Sequence, residues 1–350
     1  MTMKRTDKIL PPDANAARLA QEHWNSIGKP LHSLGMLEDL IIKIAGISGD
    51  PDVKINRRCA VVFCADNGVV CEGVTQTDST VTMTVAEAIA SGTSSINRLA
   101  EAFNAEVLPV DIGMNTVSKS AKILDRKVAP GTGNIAAGAA MSREQAAGAI
   151  SVGIDIAGEC AKNSFDILVT GEMGIGNTTT SSAIASVLLN IPPENVTGRG
   201  AGLDDDGLRR KIGAIKRAVD INKPDADDAL DVLSKLGGFD IAGMTGLFLG
   251  GAIYRIPVVI DGFISAVAAA LAVKIDPLAR DYMLCSHVSA EPAGAEILQS
   301  IGLKPLITAG LCLGEGTGGI MLLPLLDGAL SVYRSAHRFD ELKMKRYEEY

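Results

Sequence analysis

The chain has 350 residues, enough for about two domains of ~150 residues each or for one large α/β domain. Apolar residues make up 47% of it, which supports a large core, whereas aromatic residues make up 4% and the net charge is −8. This composition excludes a nucleic-acid-binding protein, which needs basic surfaces or stacking aromatics, and disfavours any polyanionic partner. The six cysteines show no C-x-x-C spacing, so we expect reduced thiols and a cytoplasmic location rather than zinc or disulfides.

The predicted elements alternate along the chain. Residues 1–7 carry no apolar segment, so no signal peptide is predicted, and residues 14–45 have helical periodicity with a break at 28–30. Strands are predicted at 58–65, 105–110, 166–170 and 256–260, and helices at 83–103, 143–162, 181–189, 205–222, 263–273 and 320–336. The charged tail, residues 337–350, is predicted as an exposed helix or a frayed end. The alternation predicts an α/β fold with a doubly wound, mostly parallel sheet flanked by helices.

One apolar stretch, residues 256–273, has the composition of a membrane span. Asp261 and Gly262 lie inside it, and a central Asp costs roughly 2.5–3.5 kcal/mol on insertion scales. A strand, a turn and a buried helix therefore fit the stretch better, and no membrane span is predicted.

Residues 171–180 form the most informative turn, between a predicted strand and a predicted helix. The turn contains Gly174, Gly176, Asn177 and Thr178, whose backbone N–H groups can approach an anion at a helix N-terminus. It also contains Glu172, which a pure phosphate cradle would avoid. The combination predicts a ligand that is anionic at one end and protic or cationic at the other.

A carboxylate follows each of four predicted strands: Asp66, Asp111, Glu172 and Asp261. Ligands of open parallel sheets bind beyond the carboxyl ends of the strands, so we expect a shared polar cleft at this edge. The alternative for each acid is a cap on the following helix.

Other candidates carry less specific signals. Glu315 lies in a glycine-rich turn between apolar segments, where burial would raise its pKa and make it a better proton acceptor; the alternative is a solvated turn residue.

The glycine turns 131–134 and 198–202 could meet a phosphate or ribose, and Lys211 could reach a phosphate, although ordinary loops and a solvated lysine are the alternatives. His287 is interpreted as a hydrogen-bonded structural residue. No nucleophile elbow, dinucleotide fingerprint or Walker A motif is present.

Eight segments in order carry a family resemblance. They are residues 65–74, 131–135, 171–179, 196–203, 237–243, 261–263, 286–292 and 313–318. With them the chain resembles the nicotinate-nucleotide:dimethylbenzimidazole phosphoribosyltransferases of cobamide lower-ligand synthesis. The resemblance implies that a benzimidazole nitrogen attacks C1′ of nicotinate mononucleotide, releasing nicotinate and forming α-ribazole 5′-phosphate.

The resemblance also implies residue roles and an architecture. Glu315 would be the general base, and no metal or cofactor is implied. The implied substrate-binding residues are Asp66, Ser79, Glu172, Gly174, Gly176, Asn177, Thr178, Gly200, Gly202, Lys211, Asp261, Gly262 and Ser289. A small helical domain from residues 1–45 and 327–350, a Rossmann-like catalytic domain from residues 46–326, and a homodimer are expected.

Three positions depart from the pattern of many relatives. Asn67 stands where His is common, Ser79 stands where a Gln lies near the aromatic base, and residues 292–294 read Pro-Ala-Gly rather than Pro-Gly-His. The acceptor therefore stays open between dimethylbenzimidazole, another benzimidazole, adenine and a phenolic. A nicotinamide-dependent dehydrogenase and a non-catalytic nucleotide-binding module are the rival functions; the first lacks its fingerprint, and the second would not need Glu315.

Overall fold

A six-stranded parallel sheet organises the computed structural model, which describes residues 8–348. Its strands are β1 (Arg58–Ala65), β2 (Glu106–Gly113), β3 (Leu124–Asp125), β4 (Ile167–Met173), β5 (Val258–Ile260) and β6 (Met283–Cys285). The order is β3-β2-β1-β4-β5-β6, and each neighbouring pair is parallel. This confirms the predicted doubly wound sheet. The order reverses between β1 and β4, the position where such sheets bind ligands.

Helices cover both faces of this sheet. They are α1 (Ala14–Ser26), α2 (Met36–Ser48), α3 (Thr80–Ser91), α4 (Ser95–Ala102), α5 (Arg143–Lys162), α6 (Asn177–Leu189), α7 (Pro193–Val196), α8 (Asp205–Asn222), α9 (Ala229–Leu236), α10 (Phe239–Tyr254), α11 (Phe263–Ile275), α12 (Gly294–Ser300), α13 (Thr317–Ile320) and α14 (Leu323–Ser335). Two 3₁₀ turns, Gly68–Glu72 and Pro277–Tyr282, complete the described elements.

The central strand β1 is buried along its whole length because both of its faces are covered. Val61 and Phe63 pack into the core formed with α5, α10 and α11, whereas Val62 and Cys64 pack into the core on the other face. This arrangement explains why β1 is a continuous apolar run rather than an alternating one.

Helices α5 and α10 pack backbone against backbone. A side chain at Gly153 would collide with the carbonyl of Gly243, and one at Gly246 would collide with the carbonyl of Ile150. Part of the high glycine content therefore serves close helix packing.

Helices from both chain ends lie together. The N–H of Phe339 donates to the carbonyl of Ser26 at 3.0 Å, and Ile27 forms an antiparallel bridge with Arg338. The described tail contains no helix and Phe339 is buried, so the exposed-helix alternative is wrong, whereas residues 340–348 are exposed and residues 344–348 have no regular structure. Trp24 on α1 shares a core with the sheet.

The division into two domains stays a prediction. Residues 1–7, where no signal peptide was predicted, lie outside the described residues, as do residues 349–350.

Residues 256–273, the stretch with the composition of a membrane span, instead contribute β5 and most of α11, as predicted. Within residues 8–348, no helix is long and apolar enough to cross a membrane.

Candidate active site

A polar cleft lies beyond the carboxyl ends of β4 and β5, next to the point where the strand order reverses. Its cavity volume is about 220 Å³. Its walls are formed by Glu172, Met173, Gly174, Ile175, Asn177, Thr178, Gly200, Ala201, Asp261, Gly262, Phe263, Ile264, Ser265, His287, Ser289, Glu291, Cys312, Leu313, Gly314 and Glu315.

The strand-to-helix turn at the cleft is shorter than predicted. Strand β4 continues to Met173 because β1 is long enough to pair with it, Phe63 opposite Glu172 and Cys64 opposite Met173. Helix α6 already begins at Asn177, after Gly176 in a left-handed conformation (φ 94°). The prediction that Glu172 lies on the turn is therefore wrong, because it is a strand residue whose backbone is held in the sheet.

Glu315 lies on a tight turn directly opposite β4. Glu315 has φ 62° and stands between Gly314 (φ 88°) and Gly316 (φ 90°), so three successive residues adopt left-handed conformations. A side chain at Gly171 would collide with the carbonyl of Glu315, which shows how closely this turn approaches the strand. Such a conformation costs a non-glycine residue energy and is typical of functional sites.

The Glu315 carboxylate has an unused acceptor. Its Oε2 atom is buried and has no hydrogen-bond partner among residues 8–348. Burial raises the pKa of Glu315, and a hydrogen bond from the N–H of Ile96 at the start of α4 opposes this. A half-buried carboxylate with an unpaired oxygen at a cleft is suited to accept a proton. The alternative of a solvated turn residue does not describe it.

Asp261 fastens the turn that carries Glu315. Its Oδ1 accepts from the N–H of Gly319 at 2.8 Å, and its Oδ2 accepts from the N–H of Gly316 at 3.2 Å. Burial raises the pKa of Asp261, and the nearby His287 ring opposes the rise. Asp261 therefore caps α13, at the other end of the chain, rather than the helix that follows it.

His287 is held as predicted and also lines the cleft. Its Nδ1 lies 3.0 Å from the Oγ of Ser286, whose hydroxyl donates to the carbonyl of Ile260 at 2.6 Å. Burial lowers the pKa of His287, and Asp261 opposes this. The predicted structural role is supported, and its place in the cleft wall is an addition to it.

Lys211 is fully buried behind the cleft wall, so the alternative of a solvated helix lysine is wrong. Its Nζ donates to the Oγ1 of Thr178 at 2.9 Å and to the carbonyl of Gly198 at 3.1 Å. Burial lowers the pKa of Lys211 to about 8, and the nearby Glu291 carboxylate opposes the shift. One lysine thus joins the N-terminus of α6 to the 198–202 glycine turn.

Glu172 and Asp240 form a buried pair of carboxyls joined by Asn177. The Nδ2 of Asn177 donates to Oε2 of Glu172 and, at 3.2 Å, to Oδ2 of Asp240. Burial, and then the negative charges of Asp240 and Asp261, raise the pKa of Glu172 well above its usual range. Burial raises the pKa of Asp240 to about 6.

The structure brings most of the predicted residues into one cleft. Those that line it are Glu172, Gly174, Asn177, Thr178, Gly200, Asp261, Gly262, Ser289 and Glu315. Gly176 caps α6, and Lys211 lies one layer behind. The carbonyl of Gly202 accepts a hydrogen bond from the side chain of Gln76. Ser79 directly precedes α3, whose first turn contacts the cleft wall where the hydroxyl of Thr82 accepts from the N–H of Ile175.

The four strand-end acids divide into two pairs, so the prediction of one shared cleft holds for only two of them. Glu172 and Asp261 line the cleft. Asp66 instead accepts from the N–H of Asn115 at 2.7 Å, and Asp111 accepts from the N–H of Met114 at 2.9 Å. Asp66 directly follows β1, whereas Asp111 lies within β2, which continues to Gly113, and both side chains fasten the loop after β2.

Sequence reasoning missed several residues in or directly behind the cleft wall. Asp240 follows no strand, so the strand-end pattern did not include it, although it lies in one of the glycine-rich segments that carried the family resemblance. Glu291 and the exposed Leu313 lie in segments that carry the family resemblance, and the exposed Cys312 directly precedes one of them, but only the tertiary fold brings these residues to the cleft.

Known proteins are similar to this chain in sequence and in fold. A family model described as Phosphoribosyltransferase matches residues 9–343. A protein of Acetivibrio thermocellus named nicotinate-nucleotide–dimethylbenzimidazole phosphoribosyltransferase is 44% identical over 94% of each chain. This chain belongs to that phosphoribosyltransferase family. A relative of the same name from Halalkalibacterium halodurans is 43% identical over 94% of this chain and 92% of its own.

The fold supports the family assignment independently. The crystal structure of CobT from Thermus thermophilus matches with a TM-score of 0.89 and 35% identity, covering 95% of this chain and 100% of that one. The family thus has the doubly wound sheet found here, and the resemblance derived from eight sequence segments is confirmed.

Proposed function

We propose that this chain transfers the 5-phosphoribosyl group of nicotinate mononucleotide to 5,6-dimethylbenzimidazole or a related base. The products are α-ribazole 5′-phosphate and nicotinate, as in cobalamin nucleotide-loop synthesis. Family membership and the names of relatives at 42–44% identity support the reaction. The observation that carries it to this chain is Glu315, which lines the same cleft as a glycine-rich helix N-terminus and has a buried oxygen with no hydrogen-bond partner among residues 8–348.

Glu315 acts as the general base in this reaction. A base nitrogen forms a bond to C1′ while the bond from C1′ to the pyridinium nitrogen breaks, with inversion at the anomeric carbon. The electron pair of the broken bond returns to the pyridinium ring, which leaves neutral, so the leaving group needs no metal. The benzimidazole N–H proton passes to the Glu315 carboxylate. General-base help of this kind typically contributes roughly 10²–10⁴-fold, and positioning of the two substrates supplies much of the remainder.

The phosphate of the nucleotide occupies the opposite end of the cleft. The N-terminus of α6 offers the backbone N–H groups of Gly176 and Thr178 and the positive end of the helix dipole, whereas the N–H of Asn177 is donated to the carbonyl of Gly174 at 3.0 Å. Lys211 uses two of its three N–H donors on Thr178 and Gly198, so one remains for an anion near Gly200. A buried ammonium attracts a phosphate more strongly than a solvated one because less water screens it.

The ring of the incoming base lies between Glu172 and the Ile175 turn. Ser79 precedes α3 by one residue, and Thr82, one helical turn further along, accepts from the N–H of Ile175 at 3.2 Å. This contact brings the start of α3 to the cleft wall, so Ser79 is placed to affect which base is accepted. The acceptor is therefore proposed as dimethylbenzimidazole or a close relative of it.

We also propose a homodimer acting in the cytoplasm. The family resemblance supports the dimer, in which the helices from both chain ends would pack near the partner's active site. All six cysteines are free in the structure, which suits a reducing compartment.

The test is turnover by the unmodified protein. Nicotinate mononucleotide is incubated with dimethylbenzimidazole, other benzimidazoles, adenine and a phenolic, and the products are identified by mass. We expect nicotinate release that depends on the added base, with a ribosyl-phosphate adduct of matching mass. Absence of nicotinate release with every base would contradict the proposal.

A further inference from the structure

Asp240 is a carboxyl that lies behind the cleft but bonds a residue in its wall. It is fully buried in the first turn of α10. Its Oδ1 accepts from the N–H of Ile241 at 3.0 Å, and its Oδ2 accepts from Asn177 at 3.2 Å. Asp240 therefore reaches the reacting groups only through another side chain.

Asn177 links Asp240 to Glu172 and fixes the orientation of both. An amide Nδ2 has two N–H donors, and Asn177 gives one to each carboxyl. Since Oε2 of Glu172 is the atom bonded to Asn177, the other oxygen, Oε1, is left facing Gly314 on the opposite wall. A side chain at residue 314 would collide with Oε1, so this oxygen lies in the narrow part of the cleft.

Two glycines make room for the Asp240 carboxyl. A Cβ at Gly174 would lie 2.6 Å from Oδ2, and a Cβ at Gly238 would collide with Oδ1. One glycine belongs to the turn after β4 and the other precedes α10, so the pocket around Asp240 is built from separate parts of the chain. Burial of a carboxylate is costly unless hydrogen bonds compensate it, and here the N–H of Ile241 and the amide of Asn177 supply them.

The groups around Glu172 and Asp240 favour a proton on Glu172 and a negative charge on Asp240. Glu172 faces the carboxyls of Asp240, Asp261 and Glu315 and the thiol of Cys64, and Asp261 in turn faces His287. Asp240 faces the amides of Asn67 and Asn177, the Ile241 N–H and the same thiol. The positive end of α10 also favours a charge on Asp240. Burial and these like charges raise the pKa of Glu172 well above its usual range, and the hydrogen bond from Asn177 opposes the rise without cancelling it.

We propose that Asp240 is a positioning residue with two effects on Glu172: through Asn177 it fixes the orientation of the carboxyl, and its own negative charge keeps Glu172 neutral with its O–H aimed into the cleft. Glu172 then donates a hydrogen bond to an acceptor atom of the bound aromatic ring. Glu315 is left as the carboxylate that accepts the proton of the incoming base. Two nearby carboxyls thereby take opposite roles, acid and base, because their surroundings differ. The inference rests on the proposed function for the identity of the base.

The proton on Glu172 can be observed without turnover. The infrared spectrum of the unmodified protein at neutral pH should contain the carbonyl band of a protonated carboxyl, and this band should be missing in Glu172→Gln. Gln at this position donates a hydrogen bond but does not titrate, so the turnover of this variant should lack the fall on the alkaline side that loss of the Glu172 proton causes. A spectrum without this band, or with the band unchanged in Glu172→Gln, would overturn the inference even if the reaction itself is confirmed.

Asp240→Asn tests the link between the two carboxyls. Loss of a buried like charge lowers a neighbouring pKa by about one to three units. Turnover should fall at high pH as Glu172 loses its proton, and this fall is the alkaline limb of the kcat profile. In Asp240→Asn the alkaline limb should therefore move to lower pH by about that amount. Asp111→Asn is the matched control, because Asp111 is also buried at a strand end but bonds Met114 and Lys127. It should leave the limb in place.

A purely structural role for Asp240 predicts a different result. Turnover of Asp240→Asn would then fall equally at every pH, with the limb unmoved, and this outcome would overturn the inference. If Asp240→Asn does not fold, the infrared comparison decides instead. Failure of the unmodified protein to release nicotinate would contradict the proposed function and leave the infrared test intact.

Discussion

The Oδ1 atom of Asp261 accepts a hydrogen bond from the backbone N–H of Gly319 at 2.8 Å, 58 residues further along the chain. With the second bond to Gly316, this contact holds the turn that carries Glu315 against the end of β5. A residue expected only to line the cleft is thus also the anchor of the proposed general base.

The first prediction concerns this anchor. Asp261→Ala removes both acceptors and leaves two buried N–H groups unpaired, at about 1–3 kcal/mol each. We expect lower stability in urea unfolding and a fall in kcat of at least about tenfold, because Glu315 is no longer fixed. Asp111→Ala is the control, since it unpairs the N–H of Met114 away from the cleft. Equal losses of kcat in both variants would contradict the role of Asp261.

The second prediction concerns the phosphate end. Lys211→Met keeps the bulk of the side chain and removes the buried ammonium. A hydrogen bond to a charged group contributes about 1.5–3 kcal/mol, so the KM for nicotinate mononucleotide should rise roughly tenfold to a hundredfold. Lys216→Met on the same helix is the control, because Lys216 is exposed and pairs with Glu194 at the surface. An unchanged KM in Lys211→Met would exclude Lys211 from phosphate binding.

The third prediction is a pH dependence with a defined sign. Burial lowers the pKa of Lys211 to about 8, so the ammonium is present below this pH and lost above it. The kcat/KM for nicotinate mononucleotide, which reports groups of the free enzyme, should fall above about pH 8. Lys211→Arg stays charged and should lose the part of the fall that begins near pH 8. A fall that persists in Lys211→Arg would assign the limb to another group.

The fourth prediction concerns the choice of base. Ser79→Gln lengthens the side chain at the start of α3 and restores an amide common among relatives. Turnover across a panel of benzimidazoles, adenine and phenolics should change its ranking while activity with at least one base persists. Thr84→Gln, on the exposed face of the same helix, should leave the ranking as it is. The idea fails if both variants rank the bases as the unmodified protein does.

The sequence predicted the elements with strong local signals. Strand β1 (Arg58–Ala65) and helix α8 (Asp205–Asn222) were predicted to the residue, because one is a bounded apolar run and the other has acids at its start. Strands β3 and β6 have two and three residues, too few for a period to be visible. The end of β4 was missed because its last residues owe their strand conformation to pairing with β1, which local propensity does not encode.

The functional site, like the fold, could be predicted only where the local sequence carries a signal. Glu315, Glu172 and Asp261 could be predicted because each stands in a glycine-rich turn or at a strand end. The bond from Lys211 to Thr178 and the bridge from Asp240 through Asn177 could not be predicted from local sequence. Both join helices that are distant in sequence and meet only when the chain is folded.

The most direct test of the account is the rate of nicotinate release by Glu315→Gln, compared with the unmodified protein, in the presence of nicotinate mononucleotide and dimethylbenzimidazole. The substitution keeps the size of the side chain and removes its ability to accept a proton. We predict a fall in turnover of roughly 10²–10⁴-fold, with urea unfolding unchanged. Turnover within a few-fold of the unmodified protein would contradict the assignment of Glu315 as the general base.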